Sequence, residues 1–417
     1  MRNDSLKNEA TYDQDRLDRY LWQEARATGM SRREVLKRFT ATLAGAAAAG
    51  ILPGMFCQRA HADPPGTVIT TDPNFLTSVG GNNYEMRWDA VKHKDYFVAN
   101  DHFYIRNHFS TPVISSDTWQ LNITGDGVDH PVTLTYDELT DMEHHTVVKF
   151  MECAGNGRGF FGIQQGTPAP GGQWHLGAVG VAKWKGVRLS EVLELACVKE
   201  TAVDVMPAGL DNPGTSPNGN VRRPMPIEKA LDEDTILAFE MNDQPLPADH
   251  GGPVRVVVPG WVGIASIKWV GSITVSTTPV ITPYNSTLYT LIEPPSTTGP
   301  ALTTQNVKSA FELPFPATLS AGHVTLHGRS WSGTGRIKHV EFSHDGGATW
   351  HKAELHEPNL PEAWVRWKVR WHAEAGSYNL MARATDSEGH VQPDTVPFNK
   401  NGYMFWAVVK HPVTVTA

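Results

Sequence analysis

The chain has 417 residues, 40% of them apolar and 19% charged, enough for two or three domains and a sizeable core. Its formal charge of −8 excludes a nucleic-acid binder built on a basic face, and 37 glycines with 29 prolines favour a loop-rich, β-rich soluble protein. The three cysteines, Cys57, Cys153 and Cys197, form no Cys-x-x-Cys pair, which excludes a zinc ribbon and a covalently attached c-type haem; His-Glu-x-x-His is also absent.

Ser31-Arg32-Arg33-Glu34-Val35-Leu36-Lys37 is a twin-arginine export signal, followed by a weakly apolar run at 41–52 and a cleavage site, Ala60-His61-Ala62. The run is rich in alanine and glycine, too weak for a stable membrane span, so the mature chain is not expected to cross a membrane. Met30, directly before the motif, is an alternative start to Met1. Cleavage removes residues 1–62, with ten basic and seven acidic side chains and Cys57, and the exported form carries −11. The expected location is the periplasm. This route moves folded proteins, usually with a cofactor already in place, which is a first pointer to one here.

Residues 63–94 are polar with scattered glycine and proline and read as an extended surface arm. Residues 97–109 mix aromatic and polar side chains. A strand is predicted at 119–124, a turn at Gly125-Asp126-Gly127, and a short helix opening at Tyr136. In Thr146-Val-Val-Lys-Phe-Met-Glu-Cys-Ala-Gly-Asn-Gly-Arg-Gly-Phe-Phe161, the apolar residues at 147–151 read as a buried strand that Gly155, Gly157 and Gly159 break into a loop. Cys153 sits at that corner with Arg158 five residues on, beside unhindered backbone N–H groups, where a thiolate is favoured over a thiol. A structural cysteine beside a tight turn is the alternative.

Residues 189–197 have helical spacing, with Ser190 as N-cap and Cys197 on the apolar face as inert core. Cys153 and Cys197 could pair in an oxidising compartment, yet a reactive Cys153 must stay free. A long Asn/Gly/Pro-rich loop covers 211–226. Strands are predicted at 237–242, 253–259 and 266–274, and the Thr/Ser/Pro-rich stretch 277–299 reads as the crossing between domains. From Gln305 onward, regular alternation (Val324 and Leu326, Val340 and Phe342, Trp367, Val369 and Trp371) predicts an all-β immunoglobulin-like sandwich.

Four further stretches put a charged or imidazole side chain inside otherwise buried sequence: Arg106-Asn107-His108, Gly209-Leu210-Asp211, Asp249-His250-Gly251-Gly252-Pro253-Val254-Arg255 and Ser266-Ile267-Lys268-Trp269. Buried cations must be paired, and several of them with few buried acids call for an anionic ligand such as a phosphorylated cofactor.

With the Cys153 loop, these stretches resemble, in order and separation, the motif set of the sulfite oxidase family of molybdenum enzymes. The resemblance covers residues 95–415. It implies an α+β molybdopterin-binding domain at 63–296, followed by the immunoglobulin-like dimerisation domain at 297–417. It implies Cys153 as the thiolate on molybdenum and a pterin site made by Tyr104, Ile105, Arg106, Asn107, His108, Asp211, His250, Arg255, Ser266, Ile267 and Lys268. The substrate pocket would hold Arg106, Arg158, Trp174 and Tyr289; Arg366 or Arg370 would correspond to an arginine reaching over from the second domain, although with Lys368 they also read as a solvated strand face. Thiolate is a soft ligand suited to a metal already held by sulfur, and two arginines would grip a sulfur oxyanion through planar forks. Tyr289 would assist proton release.

The Cys153 loop and Asn306-Val-Lys-Ser-Ala310 are most similar to the Sox sulfur-oxidation branch of the family. That likeness implies a c-type cytochrome partner, a sulfur-carrier protein as substrate, a homodimer within a heterotetramer, and no haem in this chain. Free sulfite is the alternative substrate. A secreted β-rich binding module with a structural Cys153 is the competing class, and a sulfoxide reductase is disfavoured because a neutral substrate needs no cationic clamp.

Overall fold

The computed structural model describes residues 71–417. The twin-arginine motif, its cleavage site and Cys57 lie outside the described residues. Among the described residues strands dominate, helices have at most seven residues, and no helix is long and apolar enough to cross a membrane.

Among the described residues, two five-stranded sheets, one antiparallel and one mixed, form most of the first part, with a small three-stranded sheet beside them. In one, His145–Glu152 pairs with the ten-residue strand Val179–Arg188, which pairs with Ile236–Met241; this in turn pairs with both Gln244–Pro245 and Arg255–Val257. Phe150, Met151, Val179 and Val181 are buried on both faces of this sheet, which accounts for the near-continuous apolar run around Cys153. In the other, Val270–Ser276 lies between Gln120–Thr124, to which it runs parallel, and Asp204–Gly209, to which it runs antiparallel. Thr135 and Glu138 close a capping box on the helix Tyr136–Thr140, as the spacing Thr-x-x-Glu requires.

Residues 63–94 do not form a plain arm where they are described. Leu76–Gly80 and Asn83–Met86 make a hairpin whose second strand pairs with Ile105–Arg106. The pairing fixes the segment that carries Tyr104 and Arg106. The helix after Val179–Arg188 also differs from expectation. It spans Leu189–Leu195 with Arg188, not Ser190, at the N-cap and no side-chain cap. It therefore ends before Cys197, which takes a positive φ of 50° and is exposed rather than core. Both described cysteines are free.

The second part is a sandwich. One sheet has the order Lys308–Phe311, Gly322–Trp331, Trp364–Ala373, Glu354–His356; the other has Ala317–Ser320, His411–Thr416, Gly376–Asp386, Ile337–Ser343, His351–Lys352. Trp367, Val369 and Trp371 point inward on alternate positions and pack with Phe311, Phe342 and Leu380. The boundary between the parts is itself packed: Trp331, Trp364 and Phe405 share one apolar cluster with Cys153, Phe160, Trp174 and Trp184.

His411 is buried in this sandwich, with Nε2 2.9 Å from the carbonyl oxygen of Pro314. Burial lowers its pKa from 6.5 to about 4. The unfolded imidazole therefore takes its proton first, so the stabilisation is full above the unfolded pKa, falls as pH drops toward about 4, and is flat below that. Its upper size is roughly 3 kcal/mol. His411→Gln should lose less melting temperature than wild type between about pH 7 and about pH 5, measured by circular dichroism; equal losses would contradict the assignment.

Candidate active site

The strand His145–Glu152 ends at the residue before Cys153, and the chain turns at once: Asn156 N–H donates to the Cys153 carbonyl at 2.9 Å, and Arg158 N–H to that of Gly155. Gly155 N–H lies 3.4 Å from Cys153 Sγ, a donor aimed at the sulfur. Glycine is favoured at two positions here, and at Gly157 by the backbone itself. A Cβ on Gly155 would sit 2.9 Å from the Arg158 guanidinium, and Gly157 has φ +92°.

Cys153 opens onto a cleft of about 680 Å³ of space continuous with solvent. Tyr104, Arg106, Asn107, His108, Asp211, His250, Arg255, Ser266, Ile267, Lys268 and Tyr289 line the same cleft. Segments 162 residues apart along the chain meet because the short strand Ile105–Arg106 and the loop before Val270–Ser276 flank the Cys153 corner. Ile105 faces the core, 2% exposed, and alternation turns Tyr104 and Arg106 to the other side.

The cations of this cleft are held by neutral groups. Arg255 donates to the carbonyls of His250 (2.7 Å) and Ser266 (2.9 Å), reaches the sulfur of Met151, and lies over the Trp184 ring. Lys268 donates to the Asn107 side-chain oxygen and to the Asp249 carbonyl at 2.8 Å. Arg106 donates to the Tyr289 hydroxyl at 3.2 Å. Burial pushes Arg255 down to about 10 and, with the nearby Arg255 charge, holds Lys268 well below the usual lysine range. The Asp249 and Asp211 carboxylates offset only part of that. A set of cations in this state is short of negative charge, and a phosphorylated group bearing a soft metal next to Cys153 fits the deficit.

Burial, then Arg106 and Lys268, depress the His108 pKa well below its usual value, so its imidazole is neutral. Burial raises Tyr289, which stays protonated. Tyr289 Oη lies 2.8 Å from His108 Nε2, and with Arg106 donating to the oxygen, the tyrosine O–H donates to the imidazole. His250 Nε2 is 2.7 Å from the Asn100 carbonyl, and burial lowers its pKa to about 4.

Arg158 stands at the edge of this constellation rather than in the cleft lining. Its guanidinium donates to the carbonyls of Asn401 (3.0 Å) and Gly172 (3.1 Å) and lies 5.1 Å from the centre of the Tyr403 ring. Trp174 is not a wall of the cleft: it is 2% exposed within the apolar cluster of Phe160, Phe161 and Phe405, where a large indole is most stable. Neither Arg366 nor Arg370 reaches the cleft. Arg366 donates to the carbonyls of Lys94 and Glu357, and Arg370 is an exposed strand residue.

The second part instead brings Tyr403 against Tyr289, a residue that sequence reasoning missed. Its ring stacks on Tyr289 at 5.2 Å and 13°, and the next residue, Met404, donates its N–H to the Ala154 carbonyl. The signal was the aromatic, glycine-interrupted stretch 398–406, which breaks the strand alternation just before His411–Thr416. Asp249, in the stretch singled out with His250 but given no role of its own, accepts from Thr111 at 2.6 Å beside the Lys268 site.

If the cleft holds an anionic cofactor, Lys268→Met should lower its retention roughly 10- to 100-fold, the equivalent of one charge-assisted hydrogen bond of about 1.5–3 kcal/mol. The cofactor-free variant should melt no lower than wild type, because a poorly compensated cation has been removed. Molybdenum content by mass spectrometry and thermal melting check both halves.

Comparison with known proteins agrees with this geometry. Residues 108–284 match the oxidoreductase molybdopterin binding domain family, and residues 301–415 the Mo-co oxidoreductase dimerisation domain family. The mitochondrial sulfite oxidase of Rattus norvegicus is 34% identical over 324 residues, covering 73% of this chain and 58% of that protein. The sulfite oxidase of Gallus gallus is 34% identical over 322 residues, covering 72% of this chain and 69% of that protein. The chain thus spans under two thirds of the length of the rat relative. The crystal structure of the sulfane dehydrogenase SoxCD from Paracoccus pantotrophus superposes with a TM-score of 0.72 at 26% identity, covering 88% of this chain and 98% of that one. A molybdopterin-binding domain followed by a β-rich dimerisation domain, with a thiol and a set of cations in one cleft, has one explanation: the chain belongs to the sulfite oxidase family of molybdenum oxidoreductases.

Proposed function

We propose that this chain is an exported, molybdenum-dependent dehydrogenase of the periplasm that oxidises sulfane sulfur carried on a protein cysteine and passes the electrons to a c-type cytochrome. The single observation that carries the proposal is the convergence of Cys153, Arg106, Arg255 and Lys268 on one cleft in which the cations have neutral partners. Residues 63–296 would form the catalytic unit and 297–417 the dimerisation unit, in a homodimer joined to its cytochrome partners.

When bound, the molybdenum pterin supplies oxygen transfer to sulfur and takes up two electrons. The protein's share is binding and proton handling. Cys153 is the thiolate ligand. Arg255, Lys268, His250 and Asn107, with the backbone of Ser266 and Ile267, hold the pterin and its phosphate. Arg106 grips the anionic sulfur group, with Arg158 and Tyr403 closing the rim. Tyr289 and the neutral His108 form a donor–acceptor pair through which a proton can leave Tyr289 Oη.

The sulfane choice is supported by the likeness to SoxCD, which spans nearly all of that chain. Oxidation of free sulfite is the second reading, favoured by the higher identity to the rat and chicken sulfite oxidases. The test is a side-by-side assay of sulfite and a thiosulfate-loaded carrier protein, with cytochrome c as acceptor. Turnover of the loaded carrier at the higher kcat/KM supports the proposal; turnover of sulfite alone selects the second reading. Loss of both in a protein that holds molybdenum contradicts each.

A further inference from the structure

Directly before Cys153 lies a fully buried carboxylate that no step of this chemistry uses. Glu152 is 0% exposed. Its Oε1 accepts from Lys308 Nζ at 2.7 Å and from Asn156 Nδ2 at 2.8 Å, and its Oε2 accepts from Trp331 Nε1 at 2.9 Å. Its backbone carbonyl accepts from Gln305 Nε2 at 3.0 Å, and Lys308 also reaches the Asn156 carbonyl at 3.3 Å. Lys308, Trp331, Gln305 and Asn156 are each at most 1% exposed. Asn156 Oδ1 accepts from Ala178 N–H, while the Ala178 carbonyl accepts from Cys153 N–H, both at 2.9 Å.

The residues flanking Cys153, at 152 and 156, are therefore clamped by three side chains from the sandwich part of the chain. A lysine and a glutamate this deeply buried hold each other in one geometry, because moving either leaves an uncompensated charge. A polar network with its main donors satisfied fixes a single conformation of the backbone it grips. The gripped backbone is the turn that sets where Cys153 Sγ lies.

We propose that the second domain has a role beyond dimerisation: Lys308 and Trp331 are positioning residues that act through Glu152 and Asn156 to hold the Cys153 thiol toward the cleft. The role deepens the assignment of Cys153 as the metal ligand and rests on it, but the test does not need the metal. It uses the full chain carrying Cys57→Ser and Cys197→Ser, produced without the pterin, so that Cys153 is the sole thiol. The rate of Cys153 alkylation by iodoacetamide is measured together with the melting temperature. A control is the equally buried pair Arg329–Glu312 (2.8 Å), whose arginine also reaches into the first part but to Lys92, Asp95 and Tyr96.

Lys308→Met should raise the alkylation rate by at least about tenfold and Trp331→Phe by at least about threefold in folded protein, while Glu312→Gln leaves it within about twofold. Rates within about twofold of the parent for the folded Lys308→Met and Trp331→Phe variants overturn the proposal. So does an equal rise in Glu312→Gln, which would mark general loosening of the domain contact. Should Lys308→Met fail to fold, Trp331→Phe decides alone. A wild-type protein that lacks molybdenum but follows the predicted alkylation pattern would remove the functional reading and leave the positioning role standing.

Discussion

Cys153→Ser is expected to reduce turnover to below about one part in a thousand, beyond the 10²–10³ typical of losing a single stabilising donor. Serine is nearly isosteric, and Cys153 is only 6% exposed, so the turn keeps the bond it accepts from Asn156 N–H and the one it donates to the Ala178 carbonyl. The hydroxyl is a hard ligand and ionises far less readily than a thiol, so it does not replace a thiolate on a sulfur-ligated metal. The melting temperature and most of the pterin should be retained, because the groups proposed to hold the pterin lie elsewhere in the cleft. Steady-state turnover beside a melting curve checks this. A variant with near wild-type activity would show that the thiol is not part of the chemistry.

Arg106→Gln is expected to raise KM by roughly 30-fold to several thousand-fold, the equivalent of about 2–5 kcal/mol for truncating one partner of a desolvated charge pair. Arg106 lies on the short strand Ile105–Arg106, and it donates to a hydroxyl rather than to a carboxylate. Its charge is therefore available to an anionic substrate. Arg158→Gln should act more weakly on KM and more strongly on folding, since Arg158 spends two donors on the carbonyls of Asn401 and Gly172. A change below about threefold in KM for both variants would contradict an anionic substrate.

Much of this site was legible because its residues violate local expectation. A cysteine at a strand-to-glycine corner and cations inside apolar runs, such as Arg255 and Lys268, conflict with packing and therefore announce a ligand. The sandwich was legible from alternation, as in Trp367, Val369 and Trp371. What the sequence hid was non-local. Cys197 was misread because helical spacing says nothing about where the helix stops, and it stops at Leu195. Trp174 was assigned to the pocket by resemblance, whereas its environment is set by Phe160, Phe161 and Phe405. Tyr403 escaped because its partner, Tyr289, lies 114 residues earlier and the two meet only when the domains dock. Lys308 read as part of a family motif, with no hint that its partner would be the residue preceding Cys153.

Extended X-ray absorption at the molybdenum edge tests the central claim most directly. Wild-type protein should contain about one molybdenum per chain, with a sulfur neighbour beyond the pair supplied by a dithiolene pterin, and Cys153→Ser should lack that extra sulfur. Molybdenum absent from well-folded wild-type protein, or the same sulfur count in both proteins, would contradict the account.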